Sequence, residues 1–366
     1  MKKNNDIEVL RAVGIIYVII SHFPVFMTWS PSWHGWLFNH TYFWSGVDLF
    51  FAVSGFVIMK NISPWVFTSG KDEYITSTIS FWVKRFYRLI PASWFFLLLT
   101  YLASVFYNSM GTIGVPSNNL ADAIGQFFYL SNWRSYYCST GNAQCGLNNH
   151  YWSLSLEEQF YFILPIAVFL LRRRVVWLFA ALIIIQFPLS RSPGDWLWLN
   201  RVDSMMWGCL IAMLTETKFY KMLKPSSMRS PIYRIIISAA LLYSLAFYAR
   251  GEIVSFNMGV VALVSAVMVW ISSYDEGLLF GKLIANNKVV LWIASRSYSI
   301  YLSHPISYVL MMEYCKQTSG PLNSDDMFTI MFFGSLLTIA LSEFSFRFIE
   351  SPLRKRGARI AHQQVE

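Results

Sequence analysis

Charge is what this sequence has least of. Of its 366 residues only 13% are Asp, Glu, Lys or Arg, against 55% hydrophobic and 18% aromatic, and the mean hydropathy is +0.43. A soluble domain carries about 25% charged residues. Half that proportion cannot coat a water-exposed surface of this size, which excludes an ordinary cytosolic enzyme as well as a disordered or fibrous chain. Cysteine is equally scarce. Cys138, Cys145, Cys209 and Cys315 are too few for a disulfide scaffold and lack CxxC-type spacing, so no metal is expected. Internal repeats and low-complexity tracts are missing too, which leaves a single domain whose apolar excess faces lipid.

Apolar stretches of about twenty residues, the length a bilayer demands, fall at 9–28, 43–60, 87–107, 152–171, 175–190, 198–215, 232–249, 256–273, 289–311 and 327–349. The expected fold is an all-α integral membrane protein with about ten transmembrane helices and both termini in the cytoplasm. The basic start MKKNNDIEVLR is followed by no small-residue cleavage site and reads as a retained first helix. A shorter apolar piece at 121–133 reads as re-entrant or interfacial. The formal charge of +9 is consistent with this topology, because the segments placed outside hold only Arg134, Arg191, Arg250 and Lys316 of the 29 Lys and Arg. The basic excess therefore marks cytoplasmic loops, and no nucleic-acid partner is expected. The long outer loop near 108–151 has the composition of a packed functional loop, in which Cys138 and Cys145 either close a small disulfide in an oxidising compartment or stay as free thiols.

Ionisable residues inside spans are costly, which makes them site candidates. Arg11 and His22 stand eleven residues apart, about 20° from three full turns, so they share a helix face about 16 Å apart along the axis. Arg binds phosphate and a neutral His can act as general base; headgroup anchoring and an interhelical hydrogen bond are the plainer alternative. Asp48 is a lone carboxylate among aromatics, able to orient His22 or to pair with a buried arginine. Lys84, Arg85 and Arg88 form an aromatic-interleaved basic cluster suited to the phosphates and ring of a nucleotide, or to lipid headgroups. Glu157 and Glu158 point about 100° apart on a helix, so one at most faces a given site. With His150 and Ser153 they form a candidate acceptor site; pairing with Arg201 or Arg296 is the alternative. Tyr301 and His304 add polar groups in the ninth span, and Glu343 with Arg347 fits a structural i,i+4 pair.

Arg11-x10-His22, GVDLFFAVSGF at 46–56, KRFYRLIP at 84–91, WSLSLEEQFY at 152–161 and SYSIYLSHP at 297–305 occur in that order, with RFIESPLRKR at 347–356 closing the chain. With these motifs the sequence resembles the acyltransferase 3 family of integral membrane acyltransferases. The resemblance implies about ten transmembrane helices and transfer of an acyl group, commonly acetyl, from cytoplasmic acyl-CoA to a hydroxyl of an extracytoplasmic or lipid-linked glycan. O-antigen, capsule and exopolysaccharide are the expected acceptors. Arg11 and His22 would be the essential pair, and Glu157 or Glu158 would belong to the catalytic region. The residues themselves add Asp48 as a further candidate acid and Arg11, Lys84, Arg85 and Arg88 as the groups expected to hold the donor. Acetyl-CoA is expected as donor substrate, with no permanently bound cofactor. Many members continue into a periplasmic hydrolase-like domain of the SGNH type. Here 1–353 reads as the membrane domain and 354–366 as a short basic cytoplasmic tail, expected to act alone or with a separate partner in a bacterial inner membrane. A glycan-precursor transporter or flippase, a succinyl donor and a small-molecule acceptor are the rival readings.

Overall fold

The computed structural model describes residues 4–26, 32–68 and 70–363, with the side chains of 32–34 and 64–68 left aside. Among them every regular element is helical. In chain order they are α1 (Asn5–Phe26), α2 (Ser32–His40), α3 (Gly46–Thr68), α4 (Lys71–Phe106), α5 (Pro116–Phe127), α6 (Ser131–Ser139), α7 (Trp152–Leu171), α8 (Val175–Gln186), α9 (Trp196–Leu199), α10 (Asp203–Leu214), α11 (Phe219–Met222), α12 (Pro231–Phe247), α13 (Asn257–Ser272), α14 (Gly281–Ala285), α15 (Lys288–Ser319), α16 (Asp326–Ser345) and α17 (Ser351–Gln363). A π-helical turn, Phe346–Glu350, joins the last two.

Local chemistry fixes several ends. Asn287 caps α15 by accepting from the Val289 and Val290 amides, and Gly320, at φ +85°, ends it. Proline opens α5 and α12, where the missing N–H costs nothing.

Four helical stretches, Asn5–Phe26, Gly46–Ser63, Lys71–Phe106 and Asp326–Gln363, are long and apolar enough to cross a membrane. The outer surface is inverted relative to a soluble protein: Leu98, Ile163, Leu170, Ile184, Ile235 and Leu336 are exposed, whereas Asp48, Arg201, Asp203 and His304 are buried. That pattern defines a membrane protein. Each sequence-expected span coincides with a helix, but the lengths differ; residues 27 and 28 of the first lie outside the described residues. The stretches 175–190 and 198–215 hold helices of only twelve residues, about 18 Å long. By contrast α4 runs 36 residues, so Lys84, Arg85 and Arg88 lie inside a helix rather than at its border. The piece at 121–133 splits into α5 and α6, which cover α4 and α7, and Cys138 and Cys145 are disulfide-bonded beside it. Residues 351–363, read as tail from 354 onward, form helix α17 against α4.

Two glycine crossings position the site. Gly14 on α1 meets Gly46 on α3 so closely that a methyl group at Gly46 would come within 2.5 Å of the Gly14 carbonyl oxygen. Gly55 on α3 and Gly208 on α10 likewise abut the backbones of Met205 and Ala52, where any side chain would overlap a carbonyl. Helix α3 is thereby clamped between α1 and α10, with α15 on the other side of α1.

Candidate active site

The α1–α3 crossing holds Arg11 above a cavity of about 80 Å³ that α3, α4, α7 and α15 complete. One end is basic. Arg11 pairs loosely with Glu8 one turn earlier, at 3.5 Å. Arg85 lays its guanidinium against the ring of Tyr161, 4.8 Å from the centroid, and Arg88 lines the wall beside it with a buried Nε that has no partner. Among the described residues neither Arg85 nor Arg88 meets a carboxylate within ion-pair distance, so two half-buried cations face the cavity without a paired protein anion. Guanidinium groups in that state suit an anionic ligand.

Glu157 occupies the middle. Ser54 and Tyr161 both donate to its Oε1, leaving Oε2 as the atom available to a ligand. Tyr161 follows Glu157 by four residues on α7 and therefore shares its face. Glu158 points elsewhere, into a separate cavity of about 40 Å³ bounded by Trp82, Arg85, Tyr129 and Phe162, and its buried Oε2 has no partner. The 100° offset thus divides the two acids between two cavities that share Arg85, Leu89 and Tyr161 as a wall.

At its far end the cavity meets Ser153 and Tyr301, whose hydroxyls lie 2.7 Å apart. Tyr301 donates to the His150 carbonyl at 2.7 Å, so Ser153 must supply the proton of the bond between the two hydroxyls. Behind this pair stand three imidazoles. The ring of His304 lies 4.9 Å from that of His22 and 5.8 Å from that of His150. His22 Nδ1 is 2.8 Å from the Val18 carbonyl and His304 Nδ1 is 3.1 Å from that of Ile300. A carbonyl only accepts, so both rings carry their proton on Nδ1 and leave Nε2 bare. His304 is held within α15, which continues through Pro305 instead of breaking there. His150 lies just outside α7; burial, then the neighbouring His22, push its imidazole down to about 3, which keeps it neutral at physiological pH.

Asp48 is not part of this cluster. Both its oxygens are taken by Arg201, at 2.9 and 2.8 Å, and Ser204 adds a third donor at 3.0 Å. Arg201 is packed among Trp198, Trp152 and Trp44. Asp48 therefore takes the buried-arginine role, and the expected orientation of His22 by this acid has no counterpart in the structure: the neighbour His22 meets is His304. Arg201 and Arg296 are engaged by Asp48 and Glu343, so neither pairs with Glu157 or Glu158. Glu343 also binds Arg347, as its spacing predicts. Lys84 lies outside the cavity, in a cleft on the other face of Arg85 and Arg88. Two contributors escaped the sequence reading, Ser54 and Tyr161. The i,i+4 relation to Glu157 was the available signal for the second.

A helical membrane protein with unpaired cations at one end of an internal cavity, a carboxylate in the middle and imidazoles beyond its far end has the makings of a group-transfer enzyme. Comparison with known proteins supplies the class: the acyltransferase 3 family model, described as an acyltransferase domain, matches residues 4–343, and the chain belongs to that family. It is 27% identical to the peptidoglycan O-acetyltransferase OatA of Listeria monocytogenes serovar 1/2a, over 96% of this chain and 56% of that protein. It is 28% identical to the O-acetyltransferase OatA of Staphylococcus aureus strain NCTC 8325, over 95% and 57%, and to a putative O-acetyltransferase of S. aureus strain MSSA476, over 98% and 58%. The chain therefore spans a little over half the length of these relatives. No solved structure matches it.

Proposed function

We propose that this protein transfers an acetyl group from cytoplasmic acetyl-CoA to a hydroxyl of an extracytoplasmic glycan, as a multi-pass protein of the bacterial cytoplasmic membrane. The observation that carries the reading is the pair Arg85 and Arg88, half-buried and, among the described residues, with no carboxylate within ion-pair distance, in the cavity that Arg11 also lines. They would receive the donor's phosphates, and the acyl end would extend past Glu157 toward Tyr301. The span from Arg11 to His22, about 16 Å, suits an elongated donor whose charged head and reactive end lie at different depths.

In the transfer, the bare Nε2 of His22 takes the proton of the acceptor hydroxyl, whose oxygen attacks the thioester carbon. The carbon–sulfur bond breaks, and the leaving thiolate is protonated by the imidazolium, returning His22 to its starting state. His304, with Nε2 3.4 Å from His22 Nδ1, would share that N–H with the Val18 carbonyl and help to stabilise the transient charge. Glu157 Oε2 would orient the donor or the acceptor hydroxyl. The name of the Listeria relative makes peptidoglycan, rather than O-antigen or capsule, the first acceptor to test.

Purified protein should release CoA from labelled acetyl-CoA and pass the label to soluble glycan fragments, while His22→Ala stays folded and inactive. An active His22→Ala variant would remove His22 from the mechanism. No turnover of acetyl-CoA by the wild type would remove the donor assignment.

A further inference from the structure

Arg85 and Arg88 have a second side. They line the inner cavity and also a wider cleft of about 490 Å³, whose other charged wall residues are Lys84 and Arg354. None of the described residues lining that cleft is acidic. Four cations therefore converge on one cleft, and two of them are shared with the cavity where acyl transfer is placed.

Arg354 comes from α17, beyond the family match that ends at residue 343. This helix is docked, not loose. Gly357 meets Tyr87 so closely that an added methyl would lie 2.5 Å from the Tyr87 Cβ, and Ser80 donates to the Ala361 carbonyl at 2.8 Å. Arg354 is half-exposed, with a loose 3.9 Å contact to Glu350 one turn earlier, and is free to meet a ligand.

We propose that α17 is part of the donor site and that Arg354 binds the outermost phosphate of the acyl-CoA, the ribose 3′-phosphate. The inference rests on the acyl-CoA reading above and adds a residue and a phosphate to it. Position decides the assignment. In acyl-CoA the pyrophosphate lies between the pantetheine arm and the ribose, and the 3′-phosphate lies beyond it. Arg85 and Arg88 border both spaces and so meet the pyrophosphate; Lys84 and Arg354 border only the outer cleft, where the part farthest from the thioester would lie, and of these two Arg354 carries the guanidinium. A guanidinium suits that dianion through paired N–H donors.

The test compares acetyl-CoA with acetyl-3′-dephospho-CoA as donors for wild type, Arg354→Gln, Arg354→Lys and Gly357→Leu. The wild type should show a KM about tenfold higher for the dephospho donor, the size of one charge-assisted contact. Arg354→Gln should raise the KM for acetyl-CoA by a similar factor, leave kcat within about twofold and no longer distinguish the two donors. Arg354→Lys should keep most of the discrimination, and Gly357→Leu, which pushes α17 off Tyr87, should lose it. Unchanged discrimination in Arg354→Gln overturns the proposal. Lipid headgroups offer the same phosphate chemistry, so the series is run in nanodiscs of phosphatidylcholine alone and with phosphatidylglycerol; an Arg354 effect confined to the anionic lipid would make this a lipid site and overturn the proposal equally. A wild type that uses neither donor refutes the acyl-CoA reading itself, which separates the two failures.

Discussion

His304 Nε2 lies 3.4 Å from His22 Nδ1, and each ring is fixed by a hydrogen bond from its own Nδ1 to the carbonyl four residues earlier. The two imidazoles are thus held in one tautomer by their own helices. The partner that His22 meets is a neutral ring and not a carboxylate, which suits an apolar surrounding where an extra charge would be costly.

Removing His304 should therefore act through His22. His304→Gln keeps a polar side chain and should lower kcat about tenfold to a hundredfold while leaving the KM for acetyl-CoA within about twofold, because the donor site proposed above lies at Arg85 and Arg88. The pH profile of kcat should shift in the variant. Steady-state kinetics across pH 5.5–8.5 checks this; an unshifted profile with full activity would leave His304 a packing residue.

The paired acids should separate cleanly. Glu157→Gln removes the charge that Ser54 and Tyr161 both hold and should cost about a hundredfold or more in kcat/KM. Glu158→Gln, whose side chain faces the other cavity, should retain activity within about tenfold. Parallel assays of the two variants in the same detergent make the comparison, and equal losses would contradict the division.

For Asp48 and Arg201 the effect should fall on stability. Asp48→Asn leaves a buried guanidinium without its counter-charge and should cost about 3–5 kcal/mol, whereas replacing both residues with leucine should recover much of the loss. Thermal unfolding followed by tryptophan fluorescence is the readout, with Trp198, Trp152 and Trp44 around Arg201 as reporters.

His150 gives the pH dependence a sign. Its folded-state value near 3 lies below the ordinary 6.5, so between those limits the unfolded chain binds a proton that the folded protein refuses. Stability contributed at neutral pH is lost as pH falls below about 6.5, by up to about 1.4 kcal/mol per unit. The drop in melting temperature from pH 7.5 to 5.0 should be smaller in His150→Gln than in the wild type.

Much of this was legible in the sequence, and the limits have physical causes. Hydropathy located the helices because lipid-facing residues must be apolar wherever they fall. It overstated α8 and α10, because apolar residues beyond their ends, such as Phe187 and Leu189 after α8 and Trp198 and Leu199 in the separate short helix α9, look the same to a hydropathy window as one continuous span. Spacing paired Glu343 with Arg347 and separated Glu157 from Glu158, since both relations lie within one helix. Asp48 and Arg201, 153 positions apart, could be matched only by the fold, and so could His22 with His304. Helix α17 escaped because its basic residues read as a solvated end, and the glycine that seats it carries no charge or hydropathy to notice.

The Asp48–Arg201 pair also bears on how the protein is made. Helix α10, about 18 Å long, falls short of a hydrocarbon layer about 30 Å thick, and α10 carries Asp203 in its first turn just after Arg201. By itself it is a poor candidate for insertion. When it leaves the ribosome α3 has already been synthesised, offering Asp48 for Arg201 and, at Gly55, a notch against which Gly208 and Met205 can settle. Insertion of α10 is therefore expected to depend on α3, the later helix entering the bilayer by joining the earlier one.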